Sequence, residues 1–196
     1  LLALEDMGTQ LGRVFERERT EKEIRYLADH DTLTGLPNQR LFIDRVMRSL
    51  SLAERNKGKV AILFIDLDGF KTVNDKHGHD AGDEVLRQVA NRYAKSVRKA
   101  DTVARIGGDE FVILLTDVSG ESAAATTAKK ILSAMSSPFQ WQSHELILGA
   151  SIGIAMYPNN GINIEELRRL ADHAMYQVKQ QGKNNYRFAS AISNSV

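Results

Sequence analysis

Asp66 and Asp68, which end an apolar run, and Asp109 and Glu110, which follow the glycine pair Gly107-Gly108, are the residues whose types and spacing could do chemistry. Adjacent acids on an exposed turn are, taken alone, an ordinary solvated feature. Two such groups brought to one rim of a sheet suit Mg2+, a hard cation that takes one or two carboxylates and completes its shell with phosphate oxygens and water. A calcium loop starting at Asp66 fails on spacing, because Lys71 stands where the turn glycine belongs and His77 where the bidentate glutamate belongs. The chemistry expected is that of a magnesium–nucleotide site, with Mn2+ as a substitute ion.

Such a site needs a strand that delivers Asp66 and a hairpin that delivers Asp109. The unbroken apolar run from Val60 to Ile65 reads as a strand buried on both faces, whose end emerges at the carboxylates. Thr102 to Leu115 reads as a hairpin turning at Gly107-Gly108, since glycine alone enters positive φ without a Cβ clash, and this puts Asp109 and Glu110 on the exposed bend. Before them lies a turn-rich entry from Asp29 to Asn38, broken by Gly35 and Pro37. Next comes a helix over 40–55 with Leu41, Phe42, Val46, Met47 and Leu50 on one side. Phe70 to Asp83 is polar and leads into a helix capped by Asp80, with Val85, Leu86, Val89, Ala90, Tyr93 and Val97 as its buried face. Arg98 to Asp101 ends that helix.

After the hairpin an alanine-rich helix over 119–136 stops at Pro138, and strand-like runs over 139–142 and 145–157 flank a turn at Ser143-His144. A last helix starts at Asn163 and ends at Gly182, followed by a short strand from Asn184 to Ala189. The order is α+β, with a βαββαβ core of ferredoxin-like type.

A chain of 196 residues accommodates one domain and an appendage. Its formal net charge of +1 argues against dominant nonspecific binding to nucleic acid or membrane. The absence of cysteine excludes a disulfide framework and a thiolate metal site, which fits a reducing, cytoplasmic setting. No apolar run approaches membrane-spanning length and no signal peptide is visible, so no membrane role is expected of this fragment, though a longer protein is free to carry a tether. With Leu1 in place of methionine, the expectation is a piece of a longer protein. Residues 1–28 have helical composition, with Leu4, Met7, Leu11 and Val14 at coiled-coil spacing. Both a dimerising linker and a helix packed on a neighbouring domain satisfy that pattern. Residues 191–196 are an uninformative tail.

The motifs Asp31-Thr32-Leu33-Thr34-Gly35-Leu36-Pro37-Asn38, Phe64 to Asp83, Gly107 to Phe111 and Asp172 to Asn184 stand in an order that resembles the GGDEF domain of diguanylate cyclases. The resemblance covers nearly everything from Tyr26 to Phe188, and the domain is placed at 29–190. It implies a central antiparallel sheet flanked by helices, akin to nucleotidyl cyclase and polymerase palm domains. The activity implied is condensation of two GTP molecules into cyclic di-3′,5′-GMP with release of two pyrophosphates, carried out by a homodimer under an upstream sensor.

Carried over residue by residue, the resemblance implies Asp66, the Leu67 carbonyl and Asp109 as metal ligands, and Asp109 and Glu110 as catalytic. Asn74 and Asp83 would grip guanine, with His79, Lys71 and Leu36 lining the substrate site and Lys179 and Lys183 holding the triphosphate. Arg98 and Asp101 reproduce an inhibitory RxxD site for the product, completed by Lys129 or Lys130. Where the family motif carries two arginines after the asparagine, this chain has Gln39 and then Arg40. The rival readings are a catalytically silent module that binds GTP or cyclic di-GMP, and a different nucleotidyl cyclase on the same sheet.

Overall fold

The structure, a computed structural model, describes residues 16, 17, 19, 20 and 23–190. The proposed coiled-coil seam at Leu4, Met7, Leu11 and Val14 and the tail over 191–196 lie outside the described residues. Residues 23–29 are helical and lead into the entry loop.

The apolar run becomes β1 (Val60–Asp68), longer than its hydrophobic part because the acids themselves stay in the strand. Twelve elements follow the entry loop: α1 (Gln39–Asn56), β1, α2 (Phe70–His77), α3 (His79–Ser96), β2 (Thr102–Gly107), β3 (Glu110–Leu115), α4 (Glu121–Met135), β4 (Phe139–Trp141), β5 (His144–Leu146), β6 (Gly149–Tyr157), α5 (Ile164–Gln180) and β7 (Asn185–Phe188). The main sheet has the order β2-β3-β1-β6-β7, antiparallel throughout except for the parallel pair β6–β7, and β4–β5 form a separate ribbon.

Strand alternation divides the core into two layers. Leu63, Ile65 and Leu67 of β1 pack with Val85, Val89 and Tyr93 of α3 and Ile131 of α4. On the other face Ile62 and Phe64 pack with Phe42 and Val46 of α1 and Leu167, Ala171 and Met175 of α5. Burying apolar side chains on both faces at roughly 25 cal/mol per Å2 is the main force holding the helices to the sheet. Side-chain caps start two of those helices: Asn38 Oδ1 accepts from Leu41 N–H at 3.1 Å and Asn163 Oδ1 from Glu166 N–H at 2.9 Å.

Four local expectations change. The polar stretch after Phe70 is helical, because Phe70 and Val73 bury one side of a short helix set between the positive-φ residues Gly69 and Gly78. Gly78, not Asp80, is the N-cap of α3; Asp80 sits in the first turn, where the helix dipole favours a negative charge. Met47 is exposed, and Ala53 joins Phe42, Val46 and Leu50 on the buried face of α1. His144 opens β5 rather than forming the turn, with its ring edge-on to His77 at 5.1 Å between centroids.

Candidate active site

Register places the acids. Asp66 on β1 pairs with Glu110 on β3 and with Ser151 on β6. Asp66 therefore shares its face with Phe64 and Ile62, and Glu110 shares that face through Val112 and Leu114. Glu110 is thus a half-buried strand residue, and the bend consists of Gly108 and Asp109. Gly108 has φ +47°, which fits the glycine expected there. The Asp109 carbonyl accepts from Leu67 N–H at 3.3 Å, which ties the turn to the strand beside Asp66.

Helix α5 covers this face closely because β6 has no side chain at Gly153. A Cβ there would lie 1.9 Å from the Ala171 carbonyl oxygen and 2.4 Å from Met175 N. Two turns beyond Ala171 the same helix delivers Lys179, whose Nζ lies 2.7 Å from Asp66 Oδ2. Asp68 is committed to structure: its carboxylate accepts from Ser151 Oγ at 2.9 and 3.1 Å and from Asn184 N–H at 2.9 Å. It anchors the segment after α5 to the rim. Its spacing of two from Asp66 already put both acids on one face.

Burial pushes the pKa of Asp66 up, the charges of Asp109 and Asp68 push the same way, and the hydrogen bond and charge of Lys179 only partly offset them. Glu110 is also raised, first by burial, then by Asp66, Asp109 and Asp172, again against Lys179. Asp66, Asp109 and Glu110 therefore share one electrostatic neighbourhood. Beneath it the Tyr93 hydroxyl is buried without a hydrogen-bond partner, and burial, followed by Asp68 and Asp66, holds its pKa far above the ordinary tyrosine value.

The remaining residues lie on nearby elements. Asn74 is on α2 and Asp83 on α3, both half-buried. Asn74 Oδ1 is buried without a partner, close against Gly82, where a Cβ would come within 1.9 Å of it. Lys71, His79 and Lys183 are exposed, and Leu36 packs on the α3 side of the core.

Residues 28–185 match the family model described as "Diguanylate cyclase, GGDEF domain". The chain belongs to the GGDEF family. It is 46% identical over 177 residues to the bifunctional diguanylate cyclase/cyclic di-GMP phosphodiesterase MucR of Pseudomonas aeruginosa, covering 90% of this chain and 26% of that protein. Its fold is similar to the solved GGDEF domain of TpbB from the same species, with TM-score 0.81 and 40% identity, covering 82% of this chain and 94% of that one. It is also similar to the coiled coil and GGDEF domain of DgcB from Caulobacter crescentus, solved with c-di-GMP, with TM-score 0.84, 27% identity, and 93% and 97% covered. The mixed sheet flanked by helices is the nucleotidyl cyclase palm fold of this family.

Against the GGDEF motifs, the structure separates two regions. The RxxD pair lies at the far end of the hairpin: Arg98 Nε and Nη2 donate to Asp101 at 3.2 Å each, and Arg98 Nη2 donates to the Thr116 carbonyl at 2.9 Å. Asp101 also accepts from Thr116 N–H, and its side chain is only 2% exposed against 63% for Arg98. Asp101 thus aims the arginine rather than presenting itself. A groove of about 520 Å3 here is lined by Arg98, Thr126, Thr127, Lys95 and Lys130, whereas Lys129 is not among its lining residues. A hollow of about 810 Å3 lies between α1 and α5, and Glu110 and Asp172 are among its lining residues.

GGDEF diguanylate cyclases are metal-dependent, and the donor set at the rim fits a hard divalent ion. The carboxyl groups there are oxygen donors of the kind such an ion takes, burial raises the pKa of Asp66 and Glu110, and an ammonium group is already drawn to Asp66. Among the described residues no three His, Cys, Asp or Glu side chains form a ready cage. A site with few protein ligands suits Mg2+, whose shell a phosphorylated substrate completes. Among the described residues no helix is long and apolar enough to cross a membrane.

Proposed function

We propose that this domain condenses two GTP molecules into cyclic di-3′,5′-GMP with loss of two pyrophosphates. The observation that carries this reading is the register that sets Glu110 opposite Asp66, with the Asp109 turn tied to β1 through the Leu67 N–H and Lys179 of α5 set against Asp66. Asp66, the Leu67 carbonyl and Asp109 would hold Mg2+, with Mn2+ as a substitute, and Glu110 would support them. Held by these residues, the ion would supply Lewis acidity for the attacking 3′-hydroxyl and would offset charge on the phosphorus and leaving group.

The side chains bind and orient. Asp83 accepts from the ring N–H and amino group of guanine, and the amide of Asn74 pairs with the remaining base edge. Lys179 and Lys183 hold the triphosphate, and Lys71 adds a phosphate contact. His79 and Leu36 border the pocket. One chain offers one base pocket while the product has two guanosines, so the working species is a two-fold dimer of facing domains, aligned by the N-terminal helix under an upstream sensor. Arg98, aimed by Asp101 and assisted by Lys130, takes the product as inhibitor through its fork geometry.

The chain spans 26% of MucR, so the activity of the whole protein, including any phosphodiesterase function, belongs to this proposal rather than to the family assignment. Incubation with Mg2+ and either GTP or ATP, followed by chromatography, tests the reading. GTP should yield cyclic di-GMP, and Asp109→Ala should abolish turnover with the fold intact. Binding without product would identify a silent regulatory module, and a product from ATP alone a different cyclase.

A further inference from the structure

Asp109 is held from both sides of its own residue. Its carbonyl accepts from Leu67 N–H, and the carbonyl before it, that of Gly108, accepts from Arg105 Nε at 3.0 Å and Nη2 at 2.8 Å. The other edge of the same guanidinium donates from Nη1 to both oxygens of Asp31 at 3.0 Å each, and the Arg105 side chain is only 12% exposed. Asp31 is fixed in turn by Thr34, whose N–H and Oγ1 both donate to Asp31 Oδ1. The loop carrying Asp31 is stitched to the helical segment over 23–29: Asn38 Nδ2 donates to the Ala28 carbonyl and Asn38 N–H to the Asp29 carbonyl, both at 2.9 Å. Through the short loop between Asp31 and Asn38, these two sets of hydrogen bonds link the entry helix to the peptide plane that sets Asp109.

We propose that Arg105 is a positioning residue: it transfers the position of the entry loop to the signature turn and so sets where the Asp109 carboxylate stands. Only a planar fork reaches both acceptors at once. A lysine retains the charge but supplies a single nitrogen for two acceptors on opposite edges. Positional register at a reacting centre matters steeply, and a displacement near 1 Å costs about a hundredfold in rate. Arg105 touches no substrate in this scheme and acts through Asp109. The strand is irregular between Arg105 and Gly107, so the turn is not fixed by ladder bonds alone.

The rate part of this inference rests on the cyclase reading, so the test uses a second readout that does not. Amide hydrogen exchange is measured on the nucleotide-free chain for wild type, Arg105→Lys, Asp31→Asn and the double variant. Calcium-supported GTP affinity and magnesium-supported turnover are measured alongside. Exchange over 107–110 is expected to quicken by about tenfold in each variant while β1 and β6 stay unchanged. Turnover should fall by about a hundredfold with GTP affinity within about threefold of wild type. The double variant should be no worse than the worse single one, because both remove the same link. Unchanged exchange at the turn overturns the proposal, and so does acceleration spread evenly through the sheet, which marks a merely structural role. Should the wild type yield no product, the cyclase reading fails and the exchange pattern still decides the role of Arg105.

Discussion

Lys179 sets its ammonium against Asp66 in the structure without nucleotide, while its proposed task is to hold a triphosphate. Both positions are within reach of one flexible stem, so a divalent ion arriving at Asp66 would release the lysine towards phosphate. Lys179→Met should therefore raise the Mn2+ affinity of the nucleotide-free domain, because the competing ammonium is gone, while lowering turnover. Equilibrium dialysis with Mn2+ reads this directly, and an unchanged affinity would show that the ion pair does not guard the site. Glu110 gives a prediction of opposite flavour. Its pKa is raised by burial and by its acidic neighbours, so folding favours its neutral form. The contribution of that form is complete below the ordinary glutamate pKa and is lost as pH rises through the folded value. Glu110→Gln should then melt higher than wild type at neutral pH, by less than about 1 kcal/mol after solvent screening, with the advantage vanishing towards acid. A melting difference independent of pH would refute this.

At the scale of elements, two glycines mark where helices approach closely, and they differ in what yields. At Gly153 a Cβ meets the backbone of α5, which cannot move without lifting the helix that bears Lys179. Gly153→Ala should cost about 3 kcal/mol in urea unfolding, at the upper end for overpacking. At Gly82 the obstacle is the terminal amide oxygen of Asn74, with the Phe70 ring next at 3.1 Å. That amide can swing away, and alanine in a helix interior regains about 0.5–1 kcal/mol of backbone entropy. Gly82→Ala should leave the unfolding midpoint nearly unchanged but weaken GTP binding by about tenfold, the worth of a hydrogen bond to the base. Equal losses of stability at the two sites would mean that helix packing is not the distinguishing factor.

For the whole molecule, the proposed function, with one base pocket per chain and two guanosines in the product, calls for association. The rate per domain should rise with domain concentration until dimerisation saturates, and analytical ultracentrifugation over the same range should place the two transitions together. A strictly linear total rate across the monomer-to-dimer range would contradict the facing-domain mechanism. Asp31 adds a global acid sensitivity. Burial alone would raise its pKa, but hydrogen bonds from Thr34 and the Arg105 pair outweigh that and hold it below the ordinary aspartate value. Its stabilisation is thus present above the ordinary value and is lost as pH falls through the depressed one. Asp31→Asn should flatten the acid limb of the stability curve slightly, with only a small loss at neutral pH because the ion pair is part-exposed and the opening is confined to the turn.

The amino-acid sequence by itself determined the periodic elements and the family motifs. The Val60 to Ile65 run read as a doubly buried strand and the glycine pair as a turn, both of which the structure has, and the acids after each were of the kind that suits a hard cation. Short helix α2 and the exposure of Met47 escaped it, because local polarity outweighs two buried anchors until their partners are known. Only the tertiary structure decided that Asp68 serves as an anchor, that Lys130 rather than Lys129 lines the RxxD groove, and that Arg105 spans from Asp31 to Gly108. These are contacts between residues far apart along the chain, and a linear pattern encodes which face a side chain occupies but not which distant group stands opposite it.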